Sequence, residues 1–128
     1  MMHDERILKT LVEKVNQDER LCWRGRHVET AFLLEVDHEQ YLIRIQQGRI
    51  DSVRKGEFEA CEWSFALRAS SQTWGAYWQA KPRPGYHDLM AMLKFKYLRM
   101  EGDLYPLMSH LLYFKDLLVS ARATGAQS

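Results

Sequence analysis

The sequence has no excess of charge of one sign. Its 18 Lys and Arg residues stand against 17 Asp and Glu residues, which leaves a net charge of +1 over 128 residues. A dedicated nucleic-acid binder normally carries a basic excess on one face, and a polybasic membrane anchor needs a cluster of Lys and Arg. The charge balance argues against both classes of protein, so we expect no nucleic-acid partner.

Cysteine is also scarce. The two cysteines, Cys22 and Cys61, fit no CxxC or CxxH spacing of the kind that holds a metal ion. Each is followed by a Trp one or two positions later, and we interpret both as small buried or half-buried side chains. The alternative, a disulfide, is disfavoured in a protein with a cytoplasmic sequence character.

Long apolar runs are missing as well. No stretch approaches the ~20 residues that a membrane-spanning helix needs, and charges are spread through residues 1–20, so no signal peptide is predicted. We therefore expect a cytoplasmic protein without stable membrane insertion. The length suits one domain over residues 1–128, with residues 1–26 as an N-terminal helix and linker and residues 120–128 as a flexible tail.

Motifs that carry catalytic chemistry are absent too, including GxSxG, the P-loop, GxGxxG and HExxH. We interpret His87 and Asp88 as cap and first-turn residues rather than an orienting catalytic pair, and His110 as a half-buried, hydrogen-bonded side chain rather than a ligand. Three acidic residues that could do general acid–base work are interpreted as a solvated strand face instead: Glu57, Glu59 and Glu62. We predict no enzyme, no catalytic residue, no metal and no cofactor.

Apolar periodicity in the first half of the chain predicts one helix and four strands. Residues 4–16 place Ile7, Leu8 and Leu11 on one face of a helix. The strands are predicted at residues 27–35, 41–47, 49–55 and 61–69. The last strand alternates strictly, and one face carries Cys61, Trp63, Phe65, Leu67 and Ala69. We expect the four strands to form an antiparallel meander with one solvated face.

The second half of the chain returns to helical spacing. Ser70 or Ser71 caps a short helix that carries Trp74, Tyr77 and Trp78 at positions i, i+3 and i+4. The remaining elements are a short helix at residues 87–95, a strand at residues 97–101 and a final helix at residues 104–119 with Asp103 as its N-cap. This order of elements predicts the α+β fold class.

Three motifs in this order resemble the sterol carrier protein 2 (SCP-2) lipid-transfer domain family. They are Gly48-Arg49-Ile50 in a hairpin, Glu62-Trp63-Ser64-Phe65 in a strand, and Lys96 to Asp103 before the last helix. The resemblance covers residues 27–119. The sequence departs from the family where Phe95 replaces a common Gly and where residues 74–86 are longer than usual. The resemblance implies a five-stranded, mostly antiparallel sheet covered by helices, with an apolar tunnel for a fatty acyl chain, acyl-CoA, sterol or similar lipid.

Large soft side chains are abundant, with 4 Trp, 6 Tyr, 5 Phe and 6 Met, and they concentrate between residues 63 and 114. Such residues suit a cavity that accepts an apolar guest, although a flush-packed core would use them too. Together with the resemblance they favour the cavity. We call its predicted lining the predicted apolar set: Trp63, Phe65, Trp74, Tyr77, Trp78, Leu89, Met90, Leu93, Leu98, Met100, Leu107, Met108, Leu111 and Phe114.

Basic residues alternate with aromatic ones next to this set. Lys94, Lys96 and Arg99, here called the predicted cations, could contact an anionic head group. The alternative is that they are cations favoured at a helix C-terminus. We therefore predict non-catalytic binding and transfer of a lipid or other hydrophobic small molecule. The second hypothesis is an accessory or interaction protein, a homodimer or an enzyme's partner, that uses the Trp- and Met-rich face as an interface.

Overall fold

The computed structural model describes residues 2–122, and the side chains of residues 5–122. Most of the predicted flexible tail, residues 123–128, lies outside the described residues. The helices are α1 (Met2–Gln17), α2 (Glu19–Arg24), α3 (Ser71–Tyr77), α4 (Leu89–Lys94), α5 (Tyr105–Ser109) and α6 (Leu111–Val119). The strands are β1 (Glu29–Val36), β2 (Glu39–Gln46), β3 (Arg49–Gly56), β4 (Phe65–Ala69) and β5 (Arg99–Gly102), and a 3-10 turn spans Ala60–Glu62.

The five strands form one sheet in the order β3-β2-β1-β4-β5. The pairs β1–β2, β2–β3 and β4–β5 are antiparallel, whereas β4 runs parallel to β1 with Phe65 beside Phe32. The predicted α+β class with a mostly antiparallel sheet is therefore confirmed. The predicted meander is wrong, because β4 does not pair with β3. Alternation of apolar residues specifies which face a side chain occupies, and it does not specify which strand lies alongside.

The core fills one face of this sheet. Phe32 and Phe65 on adjacent strands stack at 5.2 Å between ring centroids, and Phe114 of α6 meets them edge-on at 5.8 and 5.5 Å. Leu8 and Leu11 of α1 belong to the same buried cluster. Phe65, the aromatic residue of β4, is therefore packed against the helical layer in the edge-to-face geometry that aromatic pairs favour.

Two helical features differ from the prediction. Helix α2 was not predicted; Asp18 begins it by accepting a hydrogen bond from the Leu21 N–H at 3.0 Å. The single helix predicted at residues 104–119 is two helices, because His110 leaves helical geometry at φ −128° and ψ 40°. The predicted cap Asp103 lies one residue early, although its carboxylate does accept from the Tyr105 N–H. Apolar spacing continues across the break, so periodicity does not reveal it.

A close approach of backbone ties α2, the β2–β3 turn and α6 together. Gly48 has φ +79°, and a Cβ there would overlap the carbonyl of Cys22 and the backbone of Gly25. A Cβ on Gly25 would in turn overlap the ring of Tyr113. The Tyr113 hydroxyl donates to the Gly48 carbonyl at 2.7 Å. We call these three residues the glycine–tyrosine tie.

Candidate functional site

The predicted apolar set is mainly core. Its buried members are Phe65, Trp74, Tyr77, Trp78, Leu89, Leu98, Leu107 and Phe114, and its half-buried members are Trp63, Met90, Leu93, Met100 and Leu111. Met108 is 41% exposed. The structure therefore brings most of the set together between the sheet and helices α3, α4, α5 and α6, and packs it closely there.

Helix α3 presents three aromatic side chains to this core because their spacing places them on one helical face. The rings of Trp74 and Trp78 stack at 5.2 Å. The indole N–H of Trp74 donates to the Glu35 carbonyl at 2.9 Å, and that of Trp78 donates to the Leu118 carbonyl at 2.8 Å. These two bonds attach α3 to β1 and to α6.

Asp88 is the N-cap of helix α4, as interpreted from the sequence, whereas His87 precedes the cap and is not a first-turn residue. Its carboxylate accepts from the N–H groups of Met90 and Ala91 at 3.0 and 3.4 Å, and from Lys115 at 2.8 Å. Burial opposes ionisation of Asp88, but Lys115 and the two N–H groups outweigh it and hold the pKa below its usual value. The Asp88 carboxylate therefore stabilises the start of α4, and the neighbouring His87 is exposed.

The other residues that could take part in catalysis do not lie together with Asp88 and His87 in one site. His110 is half-buried, as predicted, at the junction of α5 and α6, and the hydrogen bond expected of its side chain stays a prediction. The three glutamates are exposed but precede β4 instead of lying on a strand, and Glu59 and Glu62 form a capping box around the 3-10 turn. Among residues 5–122 no cluster of three or more His, Cys, Asp or Glu side chains could hold a metal ion.

Both cysteines are free. Cys22 is buried, its thiol donates to the Val15 carbonyl at 3.3 Å, and burial raises its pKa. Cys61 is exposed, because the 3-10 turn replaces the first residues of the predicted strand. The expectation of a buried or half-buried side chain is thus confirmed for Cys22 and wrong for Cys61.

Trp63 is not on the predicted face. Its ring centre lies 5.7 Å from the guanidinium carbon of Arg68, and alternation along β4 puts Arg68 on the opposite face of the sheet from Phe65. Strict alternation fails here because β4 begins only at Phe65.

Two of the predicted cations share a cleft. Lys96 and Arg99 line a polar cleft of about 660 Å³ with Glu35, Arg68 and Tyr97 among the other lining residues. Lys94 is not among its lining residues. The two arginines that line this cleft already have carboxylate partners. Arg68 pairs with Glu35 at 2.8 Å and with Glu101 at 2.7 Å, and Arg99 pairs with Glu101 at 3.4 Å.

A more apolar cleft of about 480 Å³, which the sequence did not predict, lies between α1 and the β2–β3 hairpin. Leu8, Val12, Tyr41 and Val53 form its apolar part, and its charged lining residues are Glu5, Lys9, Glu13 and Lys55. The helical spacing of Leu8 and Val12 was the signal that could have pointed to it. Two further clefts have volumes of about 380 and 460 Å³. None of these four clefts is lined by the predicted apolar set.

Six large apolar side chains are exposed among the described residues. Four of them lie on helices α2, α5 and α6, and we call these four the exposed patch: Trp23, Tyr105, Met108 and Leu112. Their exposed fractions are 63, 76, 41 and 73%. Helix α2 adjoins α6 here, because Arg24 pairs with Asp116. Of these four residues only Met108 was in the predicted apolar set.

Comparison with known proteins identifies the fold. The chain superimposes on the crystal structure of sterol carrier protein 2 with a TM-score of 0.73 at 17% identity, covering 94% of this chain and 96% of that one. It also matches the sterol carrier protein domain 2 of Helicoverpa armigera (TM-score 0.62, 13% identity, 89% and 86% coverage). A third match is the UbiJ-SCP2 ubiquinone synthesis protein (TM-score 0.58, 15% identity, 87% and 84% coverage).

These matches confirm the resemblance at the level of the fold: the chain has the SCP-2 fold over nearly its whole length. No protein-family model and no curated protein matches the sequence. Within the described residues, no helix combines the length and the apolar character that crossing a membrane requires.

Proposed function

We propose that this protein is a non-catalytic carrier that binds a lipid or a similar hydrophobic small molecule between the sheet and helices α3, α4 and α6. The observation that carries this proposal is the SCP-2 fold itself, which extends over 94% of the chain and matches a sterol carrier protein. The aromatic and Met side chains of the predicted apolar set lie in that layer, and they offer large contact areas that adapt to a guest.

Ligand entry requires the closed core to open, and α3 and α4 are the elements suited to it. They have 7 and 6 residues and are joined by an 11-residue segment that carries all but one of the chain's prolines. Helices this short are marginal on their own, so their position depends on tertiary contacts. A ligand burying ~450 Å² of apolar surface gains ~11 kcal/mol, against at least ~4 kcal/mol of lost freedom and the further cost of opening the core, so dissociation constants no tighter than micromolar are expected.

A matched pair of substitutions tests the location of the site. Leu93 on α4 and Val53 on β3 are both half-buried apolar residues, one in the predicted apolar set and one in the α1 cleft. Diphenylhexatriene, an apolar fluorescent probe, is titrated into each purified variant. We expect Leu93→Trp to weaken binding at least tenfold and Val53→Trp to leave it unchanged. The reverse pattern would move the site to the α1 cleft, and absence of probe binding to the wild type would overturn the proposal.

The predicted cations add a finer proposal, in which Lys96 and Arg99 contact an anionic head group at the polar cleft. Both are exposed, so this contact would be screened by salt. Replacing both by Ala should weaken binding of an acyl-CoA, and the loss should shrink as the NaCl concentration rises. An unchanged affinity at low salt would remove the head-group contact and leave the carrier function intact.

The exposed patch supports the second candidate function, an accessory or interaction protein. Three of its residues, Tyr105, Met108 and Leu112, are exposed on α5 and α6, and exposed apolar surface is what a protein–protein contact site offers. A protein of ubiquinone synthesis shares the fold. Sedimentation of the wild type and of Leu112→Glu tests the homodimer form, because a monomer at every concentration would exclude it.

A further inference from the structure

Tyr77 carries a buried hydroxyl group without a hydrogen bond. The side chain is fully buried on α3, and its hydroxyl has no partner among residues 5–122. Its neighbours Trp74, on the same helix, and Trp78, the C-cap of that helix, both donate their indole N–H groups to backbone carbonyls. Buried polar groups are nearly always paired, so an unpaired one calls for an explanation.

The second unpaired atom, the indole nitrogen of Trp63, has a different position. Its ring lies by Arg68, on the opposite face of the sheet. It therefore belongs to neither the helical layer nor the surroundings of Tyr77, and the two unpaired atoms do not form one site.

The ring of Tyr77 belongs to the aromatic cluster that the proposed ligand would contact. Its ring is 5.8 Å from that of Trp74 and 5.9 Å from that of Trp78, between centroids, and all three belong to the predicted apolar set. Burial raises the pKa of Tyr77, and the carboxylates of Asp88 and Asp116 act in the same direction while Arg122 opposes them. The phenol therefore stays neutral at physiological pH and can donate or accept one hydrogen bond.

The charged groups around Tyr77 already have partners. Arg122 stacks on the Tyr77 ring at 4.9 Å and donates to the carbonyls of Tyr77 and His87 at 2.9 and 3.2 Å. Lys115 is paired with Asp88 at 2.8 Å. An anionic group placed beside the phenol would have to compete for these cations or be buried without one, which is strongly unfavourable.

We infer that Tyr77 is a specificity-determining residue for the bound lipid: its hydroxyl pairs with an uncharged oxygen of the ligand, a hydroxyl or a carbonyl, at the end that enters the core. This inference rests on the proposed carrier function. It selects a neutral ligand over a carboxylate at this position, because a neutral oxygen satisfies the phenol without burying a charge in the apolar layer.

The test compares three fluorescent probes on the wild type and on Tyr77→Phe. The probes are parinaryl alcohol, parinaric acid with the same chain, and diphenylhexatriene, which has no oxygen. We expect the wild type to bind the alcohol more tightly than the acid at pH 7 in about 1 M NaCl, where salt screens the contact that Lys96 and Arg99 would make with the carboxylate of the acid. We expect Tyr77→Phe to weaken binding of the alcohol about tenfold, as loss of a buried hydrogen bond does, and to leave diphenylhexatriene unchanged.

Tyr113→Phe is the matched control, since it removes the hydroxyl of another buried tyrosine whose hydrogen bond stays inside the protein. It should not change the ratio of alcohol to diphenylhexatriene affinity. An equal effect of Tyr77→Phe on all three probes, no effect on the alcohol, or a preference of the wild type for the acid would overturn the inference while leaving the carrier function standing. Binding of no probe by the wild type would overturn the carrier function itself, and the inference with it.

Discussion

Tyr113 and Tyr77 are both buried tyrosines of the helical layer, yet their hydroxyl groups have opposite surroundings. Tyr113 donates to the Gly48 carbonyl at 2.7 Å and closes the glycine–tyrosine tie, in which backbone segments approach too closely for any Cβ. Tyr77 has no partner among residues 5–122. The hydroxyl of Tyr113 is hydrogen-bonded within the protein, whereas the hydroxyl of Tyr77 would need a partner from outside the described residues.

The core is packed differently around the glycine–tyrosine tie and around Tyr77. Around Gly25 and Gly48 each close contact fixes α2, the hairpin and α6 to one another, so that little could be inserted there. Around Tyr77 the packing includes the large rings of Trp74 and Trp78 from the short helix α3 and its C-cap, and the hydroxyl of Tyr77 is left unpaired. Incomplete pairing at a site of function is the pattern expected where stability has been given up for binding.

The largest expected effect is the loss of the tie. Gly48→Ala forces a left-handed residue to carry a Cβ against two backbone segments, and we expect a loss of about 3 kcal/mol in the free energy of unfolding by urea. Gly75→Ala is the control, because nothing lies within 4 Å of its Cβ position inside α3. It should stabilise the protein by about 0.5–1 kcal/mol. A loss below 1 kcal/mol for Gly48→Ala would show that the turn is not held as described.

The next effect is the loss of the hydroxyl that completes the tie. Tyr113→Phe leaves the buried Gly48 carbonyl without its donor, and an unpaired buried acceptor costs about 1–3 kcal/mol. Urea unfolding should therefore show a stability loss near 2 kcal/mol with an unchanged dependence on urea concentration. A variant as stable as the wild type would mean that water replaces the phenol.

A smaller loss of stability is expected from a change at the start of α4, which belongs to the region around Tyr77. Asn caps helices as well as Asp, so Asp88→Asn keeps the cap and removes the charge that pairs with Lys115. We expect a loss of about 1 kcal/mol at pH 7. The pKa of Asp88 is lowered in the folded state from 3.8, so its contribution is present above about pH 4 and is lost as the pH falls through the folded value.

The measurement for Asp88→Asn is urea unfolding of both proteins from pH 7 to pH 3. The difference in free energy of unfolding should be constant down to about pH 4 and shrink below it. A difference that grows on acidification would contradict the assignment, because it would require the folded carboxyl to have a raised pKa.

The sequence predicted which residues are buried better than it predicted which elements lie next to each other. Phe65 and Leu67 were assigned correctly to the core because alternation reports the buried face directly, and Trp74, Tyr77 and Trp78 were assigned correctly to one helical face. The place of β4 beside β1 is set by long-range pairing, which periodicity does not encode. The glycine–tyrosine tie was missed for the same reason.

The candidate site was predicted less completely than the fold. Most residues of the predicted apolar set do come together, with Trp63 and the exposed Met108 as exceptions, but sequence spacing cannot tell a packed core from a cavity. The unpaired hydroxyl of Tyr77 could not be predicted at all, because an unpaired atom is defined by the partners that its surroundings fail to supply.

We expect the smallest change in stability from Tyr77→Phe, the variant that tests most directly whether the two tyrosine hydroxyl groups have different surroundings. Tyr77→Phe removes a buried hydroxyl that has no partner to lose, so we expect the unliganded protein to be unchanged or more stable by about 1 kcal/mol. Tyr113→Phe is the same chemical change with the opposite expected sign, so urea unfolding of the two variants compares the two environments directly. A loss of 1 kcal/mol or more in Tyr77→Phe would mean that a buried water already pairs with the hydroxyl. The region around Tyr77 would then be as complete as the tie, with nothing left for a ligand to satisfy.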